Sequence, residues 1–266
     1  MILVRNVSFS YSKKGPPLFK DLNLTIRDSS WVAVVGQDGV GKSTLGKLIK
    51  GLVKADKGSV ALVPPNPNGS AYVGYLGGDP YDSFVGISVE EDIVFGMENQ
   101  GIKSAEMGIR LNQALAWTGL AGMEKRLVHT LSGGEQQKLG LAGILAVGAK
   151  VLILDEAMSM LDRPSRFSIR SLLRALRRDQ ELTLIEITQN LEEALAADRI
   201  LFLARGTIAF DGTPAEFMAS PAGINSAGMA GGLPGLINTL VKREILPAHR
   251  SQIDNLLETL LNYLKK

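Results

Sequence analysis

The chain has no cysteine among its 266 residues, which excludes disulfide bonds and fits a reducing compartment. It also has no apolar run long enough to cross a bilayer, so any membrane role would be peripheral. Residues 1–10 alternate like a strand and lack the charged and apolar regions of a signal peptide. We therefore expect neither a membrane span nor a signal peptide.

Neither sign of charge dominates the sequence. The 29 Lys and Arg residues face 27 Asp and Glu residues, which leaves a formal charge of +2. No polybasic stretch stands out, so we expect no nucleic-acid partner. The length and the 45% hydrophobic content suit one large α/β domain with a small appendage.

A glycine-rich turn lies between an apolar strand at 31–35 and a helix that starts near Lys42. Such a turn closes backbone N–H groups around a phosphate, and the helix N-terminus adds its positive end. Lys42 would reach the β- and γ-phosphates, and Ser43 would offer its hydroxyl to Mg²⁺. The candidate nucleotide-binding residues are Gly36, Gln37, Asp38, Gly39, Val40, Gly41, Lys42, Ser43 and Thr44. A chance glycine turn is the weaker reading, because both the strand and the helix are in place.

Two further motifs narrow the chemistry. An apolar strand at 151–154 ends in Asp155, which could hold Mg²⁺, and Glu156, which could polarise an attacking water. The stretch 131–137 opens a helix with a serine and two glycines and so forms a second anion-binding terminus. Its candidate residues are Ser132, Gly133, Gly134 and Glu135. One nucleotide cannot use both of these helix N-termini of one chain. The sequence therefore predicts a head-to-tail dimer in which the stretch 131–137 of each chain, the signature, contacts the partner's nucleotide.

The remaining pattern predicts strands alternating with helices, and hence a mostly parallel, covered sheet. Residues 2–9 and 22–26 are predicted antiparallel strands, and Tyr11 between them could either face an adenine ring or plug a sheet edge. Further strands are expected at 60–63, 71–76, 151–154, 182–188 and 200–204, and helices open near Val89 and at 109–117. A hairpin at 205–214 leads into a short helix.

We predict an ATPase core at 1–79 and 148–219, a helical segment at 80–147, a linker at 220–235 and C-terminal helices at 236–266. The C-terminal leucines recur at helical spacing. These helices could form a dimerisation appendage or dock on their own core.

The joint spacing of 36–44, 131–137, 151–156 and 159–162 resembles the ABC-type ATPases. Within them, the stretches 89–99, 141–146 and 155–162 resemble the energy-coupling-factor ATPases of vitamin and cobalt or nickel uptake, and the resemblance covers nearly the whole chain. For the C-terminal helices, this resemblance favours a dimerisation appendage over docking on their own core. It implies an α/β, RecA-like P-loop ATPase core with an antiparallel β edge, an inserted helical subdomain and a C-terminal helical appendage.

The same resemblance implies ATP and Mg²⁺ as cofactors and a peripheral place on the cytoplasmic face of the membrane. It implies as partners a second ATPase subunit, a transmembrane coupling protein and a membrane substrate-binding component. Ser159, Leu161 and Asp162 would belong to the loop by which paired ATPases sense each other.

The sequence departs from the family at two positions. The family carries a glutamine after the strand at 71–76, which touches Mg²⁺ or the attacking water, and this chain has Gly78 there. The family carries a histidine after the strand at 182–188, which contacts the γ-phosphate, and this chain has Gln189. Glycine offers no side chain, and glutamine cannot carry a positive charge.

The glycine-rich turn at 36–44 is the P-loop of this chain. From these departures we expect its site to bind MgATP well but to hydrolyse it slowly. The signature is intact and could complete a competent site on a different partner, which favours a heterodimer. A homodimer stays open, with Asp79, Asp82 or Gln189 in the missing roles. A non-transport ABC ATPase and a regulatory subunit with little hydrolysis also stay open, and the transported solute is not identified.

Overall fold

A computed structural model describes residues 1–12, 15–63, 73–78 and 84–220 of the chain. The chain divides into two compact units. The first comprises Met1–Val63 and the described chain from Ile185 onward, and the second comprises the described residues between Pro64 and Leu184. The predicted C-terminal helices, and all of the predicted linker except Ser220, lie outside the described residues.

Strands and helices alternate between residues 151 and 204, as the sequence predicts. The described elements are β1 (Ile2–Phe9), β2 (Phe19–Ile26), β3 (Trp31–Val35), α1 (Lys42–Lys50), β4 (Lys57–Leu62), β5 (Val73–Leu76), α2 (Val89–Asn99), α3 (Ser104–Thr118), α4 (Gly133–Val147), β6 (Val151–Asp155), α5 (Arg163–Gln180), β7 (Thr183–Ile187), α6 (Leu191–Ala194), β8 (Arg199–Ala204), β9 (Thr207–Gly212) and α7 (Pro214–Ala219).

The first unit contains an antiparallel sheet of order β2-β1-β4. The predicted antiparallel pairing of the first two strands is confirmed, but β2 begins at Phe19, before the predicted residue 22, because Phe19 pairs with Phe9 across the sheet. Likewise β4 begins at Lys57, before the predicted residue 60, because Lys57 pairs with Ser8. Pairing with β1 thus lengthens both strands.

The strands next to the candidate site residues are buried along their whole length. Every residue of β3, β6 and β7 is buried, as expected for parallel strands covered on both faces. In the first unit β3 runs parallel to β8, and β9 returns antiparallel to β8. The hairpin therefore begins with β8, before the predicted residue 205, because β9 pairs with β8. In the second unit β5 runs parallel to β6.

The second unit carries the predicted helices. The helices α2, α3 and α4 share a core in which Ile93, Met97, Leu115 and Leu139 are fully buried. Ser88 caps α2 with a reciprocal hydrogen-bond pair to Glu91, so the helix starts where the sequence predicts. Besides these helices the unit contains β5, β6 and α5. Along the described chain no helix is both long and apolar enough to span a bilayer.

Candidate nucleotide-binding site

The glycine-rich turn of the first unit is held against its surroundings by close backbone packing. A Cβ atom placed on Gly36 would lie 2.4 Å from the Leu203 carbonyl oxygen, and one on Gly41 would lie 2.7 Å from Cζ of Phe19. Gly41 also has a φ of +108°, in the left-handed region that favours glycine. The turn therefore requires glycine at both positions.

The helix α1 follows directly from this turn and starts without a side-chain cap. Gly41 occupies the N-cap position, and the first turn contains no acidic residue. Its backbone N–H groups thus have no side-chain cap, so their partial positive charge can serve an anion. The glycine turn, the uncapped helix start and the lysine that follows form a cradle that fits the phosphates of a nucleotide.

Lys42 folds its side chain back over the turn. Its Nζ atom donates to the carbonyl oxygens of Gly36 at 2.9 Å and Gln37 at 3.0 Å, and the side chain is only 6% exposed. The ammonium group thus sits inside the turn, where phosphate oxygens could replace the carbonyl oxygens as its partners.

Tyr11 lies beside the same helix. Its hydroxyl is 2.9 Å from Oγ1 of Thr44, and its ring meets Phe9 edge-on with centroids 5.0 Å apart. The residue is 68% exposed, so most of the ring remains accessible.

The structure also brings Gln189 to the glycine-rich turn. Gln189 follows β7, and its Nε2 atom donates to Oδ1 of Asp38 at 2.6 Å. The same carboxylate oxygen lies 3.5 Å from Nζ of Lys42. The position at which the family carries histidine is therefore hydrogen-bonded to the turn itself.

The acids at the end of β6 lie in the second unit, next to the loop after β5. Asp155 is 9% exposed and accepts a hydrogen bond from the Tyr75 hydroxyl at 2.5 Å. Glu156 has a φ of +53°, an uncommon conformation for a residue other than glycine. A Cβ atom on Gly78 would lie 3.6 Å from Cβ of Glu156, so the position that lacks the glutamine adjoins the candidate catalytic acid.

The signature stretch caps α4. The Ser132 hydroxyl accepts from the Glu135 backbone, and Oε2 of Glu135 accepts in return from the Ser132 backbone at 2.7 Å. Arg126 donates to the other oxygen of Glu135 at 2.8 Å. The backbone hydrogen bond from Ser132, followed by its hydroxyl and then Arg126, lowers the pKa of the Glu135 carboxyl from its ordinary value.

The signature packs against the loop at 159–162. A Cβ atom on Gly133 would lie 3.3 Å from Sδ of Met160, and one on Gly134 would lie 3.7 Å from Cδ2 of Leu161. Asp162 accepts from the Ser165 backbone at 3.1 Å and caps α5. The structure thus joins two groups of residues that are adjacent only in space.

Comparison with known proteins identifies the family. A family model described as ABC transporter matches residues 19–159, just over half of the chain. The energy-coupling factor transporter ATP-binding protein EcfA1 of Ligilactobacillus salivarius is 40% identical over 223 residues, which cover 80% of this chain and 78% of that protein. The protein of the same name from Streptococcus pneumoniae serotype 4 is 37% identical over 227 residues, 82% of each chain.

The chain belongs to the energy-coupling-factor ATP-binding proteins of the ABC transporter family. It is an ATP-binding subunit of such a transporter and an ATPase that uses ATP and Mg²⁺ and couples hydrolysis to transport.

Solved structures agree with this fold. CbiO1 of Clostridium perfringens, described as part of the ABC transporter complex cbiONQ, superposes with a TM-score of 0.72 at 26% identity. The match covers 91% of this ABC ATPase and 98% of that chain. A dimeric bacterial ABC transporter cassette superposes with a TM-score of 0.71 at 22% identity and supports the fold alone.

Sequence reasoning missed three residues of this ABC ATPase that hold candidate site residues in place. Arg126 supports the signature through Glu135, and Tyr75 supports Asp155. Gln137 donates to the carbonyl oxygens of Gly77 at 3.2 Å and Gly78 at 2.7 Å. The place of Gln137 in the signature stretch could have marked it as a site residue. Its partners could not be found in this way, because they are distant in sequence.

Proposed function

We propose that this chain is one of two paired ATPases that drive an energy-coupling-factor importer of a vitamin or a transition-metal ion. It would bind a transmembrane coupling protein and lie at the cytoplasmic face of the membrane, beside a separate substrate-binding component. The names of the relatives and the description of CbiO1 as part of a transporter complex support this proposal.

In this proposal the motifs of the chain supply different parts of the reaction. Lys42 and the turn amides bind the β- and γ-phosphates, and Tyr11 offers its accessible ring to the adenine. Ser43 and Asp155 would hold Mg²⁺, which neutralises charge on the phosphates. Glu156 accepts the proton of the attacking water.

The signature acts on the nucleotide of the second subunit. Ser132, Gly133 and Gly134 lie at the start of α4, where the helix N-terminus favours an anion. We propose that they contact the γ-phosphate held by the partner, so that ATP closes a head-to-tail dimer. The absence of two catalytic side chains from one site favours a heterodimer.

Slow hydrolysis at this chain's own P-loop is the sharpest part of the proposal. The observation that carries it is Gly78, which adjoins Glu156 but offers no side chain toward a water molecule. Removal of one transition-state donor commonly slows a reaction by about 100-fold. Gln189 cannot replace the charge of a histidine.

The first prediction is that Gly78→Gln accelerates hydrolysis by the purified chain at least about tenfold. The nearest atoms to a Cβ on Gly78 lie at 3.6 Å, an ordinary contact, so a Cβ atom fits there without displacing its neighbours. Steady-state release of phosphate at saturating MgATP is the measurement.

Gly77→Gln is the matched control, because a Cβ there would also meet no close atom. It should leave the rate unchanged. A wild-type rate that Gly78→Gln does not raise, and that Glu156→Gln abolishes, would mean that the site is already fully active.

A further inference from the structure

Three polar side chains meet at the mouth of the glycine-rich turn. Oδ1 of Asp38 accepts from Nε2 of Gln189 at 2.6 Å and lies 3.5 Å from Nζ of Lys42. The Asp38 side chain is 79% exposed, whereas that of Lys42 is 6% exposed. The Asp38 carboxylate therefore contacts both the phosphate-binding Lys42 and Gln189, which stands where the family carries a histidine that contacts the γ-phosphate.

The negative charge of Asp38 disfavours the binding of a triphosphate at the turn. A triphosphate brings several negative charges to Lys42, and like charges in proximity repel. In addition, the carboxylate and the phosphate oxygens compete for the same ammonium group. The charge of Asp38 therefore weakens nucleotide binding, whereas an uncharged residue of the same shape would not.

The hydrogen bond to Gln189 has a second consequence. A side chain that is held on Asp38 has to give up this partner before it can turn toward a γ-phosphate. The acceptor is charged, which makes the bond stronger than one between neutral groups. Asp38 thus retains Gln189 on the turn until the nucleotide displaces it.

We propose that Asp38 is a positioning residue of the P-loop. It competes with phosphate for Lys42, and it keeps the side chain of Gln189 hydrogen-bonded to the turn. The proposal rests on the nucleotide-binding role given to the P-loop above. Because Mg²⁺ lowers the net charge of ATP, the penalty from Asp38 is larger for free ATP than for MgATP. Asp38 therefore makes the site select the magnesium complex.

The test measures binding of a non-hydrolysable ATP analogue to the full chain by calorimetry, with Mg²⁺ and with EDTA. Asp38→Asn keeps the shape and can still accept from Gln189, but it removes the charge. We expect it to tighten binding about twofold with Mg²⁺ and about fivefold without it, the range for one exposed and partly screened charge. Asp179→Asn, which removes an exposed charge on α5, is the matched control and should change neither constant.

The outcomes separate the two proposals. If the wild-type chain binds no nucleotide, the proposed role of the P-loop fails and this inference fails with it. If the wild-type chain binds but Asp38→Asn binds equally or more weakly, only the inference is overturned. A gain of the same size with and without Mg²⁺ would overturn the claim of selectivity for the magnesium complex.

Hydrolysis gives a second readout that a merely structural role would not move. Gln189→His restores the family residue, but Asp38 would hold the imidazole as it holds the amide. We therefore expect Gln189→His to raise the hydrolysis rate at least about threefold more in the Asp38→Ala background, which offers residue 189 no acceptor, than in the wild type. Equal gains in both backgrounds would show that Asp38 does not retain residue 189.

Discussion

At the scale of single residues, two glycines of the P-loop differ in their surroundings. Gly39 has a φ of +75° but a Cβ there would meet nothing within 4 Å, whereas one on Gly41 would meet the ring of buried Phe19 at 2.7 Å. Glycine is favoured at position 39 only because of the left-handed backbone conformation. Gly41 meets the same demand and also allows the turn to lie against Phe19.

The second prediction compares alanine at these two positions. Gly39→Ala should cost about 1 kcal/mol of unfolding free energy for the left-handed backbone alone. Gly41→Ala should cost about 3 kcal/mol or more, because the methyl group also displaces Phe19. Urea unfolding without nucleotide measures both, and equal losses would contradict the packing of the turn against Phe19.

The third prediction concerns the Glu135 carboxylate. Its pKa is lowered first by the Ser132 backbone, then by the Ser132 hydroxyl and Arg126. A group with a lowered pKa stabilises the fold above its unfolded pKa, and this contribution is lost as the pH falls through the folded value. Glu135→Gln should therefore destabilise the chain by about 1 kcal/mol at pH 7. This difference should shrink as the pH falls below the ordinary carboxyl value and vanish once the pH is below the lowered folded pKa.

Unfolding curves of both proteins across this pH range are the measurement. Glu98→Gln, which changes an exposed acid on α2, is the control and should show no difference at either pH. A difference between wild type and Glu135→Gln that persists in acid would mean that the charge of the carboxylate is not what stabilises the cap of α4.

At the scale of elements, the segment before α2 presents apolar side chains. Val85 is 64% exposed, Ile87 69% and Leu127 41%. The Ile87 carbonyl oxygen accepts from the Val128 backbone at 2.9 Å, so Ile87 and Leu127 lie close together. Grouped apolar side chains at a surface commonly mark an interaction site. We propose that this group contacts the membrane coupling protein.

The fourth prediction is that Ile87→Gln reduces the amount of chain that co-purifies with membranes containing its transporter at least about fivefold. Only the side chain changes, so the backbone bonds of Ile87 remain. Ile109→Gln removes an equally exposed isoleucine from α3 and is the control. Equal retention of both variants on membranes would show that the group does not bind the coupling protein.

The sequence predicts local features of this molecule well, because they depend on neighbours along the chain. Ser132 opens α4 and Lys42 opens α1 as expected, since caps and glycine turns are written in consecutive residues. Strand ends are less predictable: β2 begins at Phe19 because of a partner on β1. The contact of Gln137 with Gly78 joins residues that no periodicity relates, so it could not be inferred.

At the scale of the whole molecule, the proposed asymmetry assigns different weights to two motifs of one chain. Glu156 would serve the slow site on this chain's own P-loop. Ser132 would serve the site on the P-loop of a second ATPase. Substitutions that disable the two motifs should therefore have unequal effects on an assembled pair, although each motif is intact.

The fifth prediction tests this inequality in the complex of the chain with its partner ATPase. Glu156→Gln should leave most of the ATP hydrolysis, because the site it disables is already about 100-fold slower than a complete one. Ser132→Arg should remove nearly all of it, because the larger cation fills the place of the partner's γ-phosphate contact at the start of α4. Phosphate release by both variants, with the assembled complex verified by size-exclusion chromatography, gives the comparison. Equal losses would indicate two equivalent sites, as in a homodimer, and the roles assigned to Gly78 and Gln189 would then be wrong.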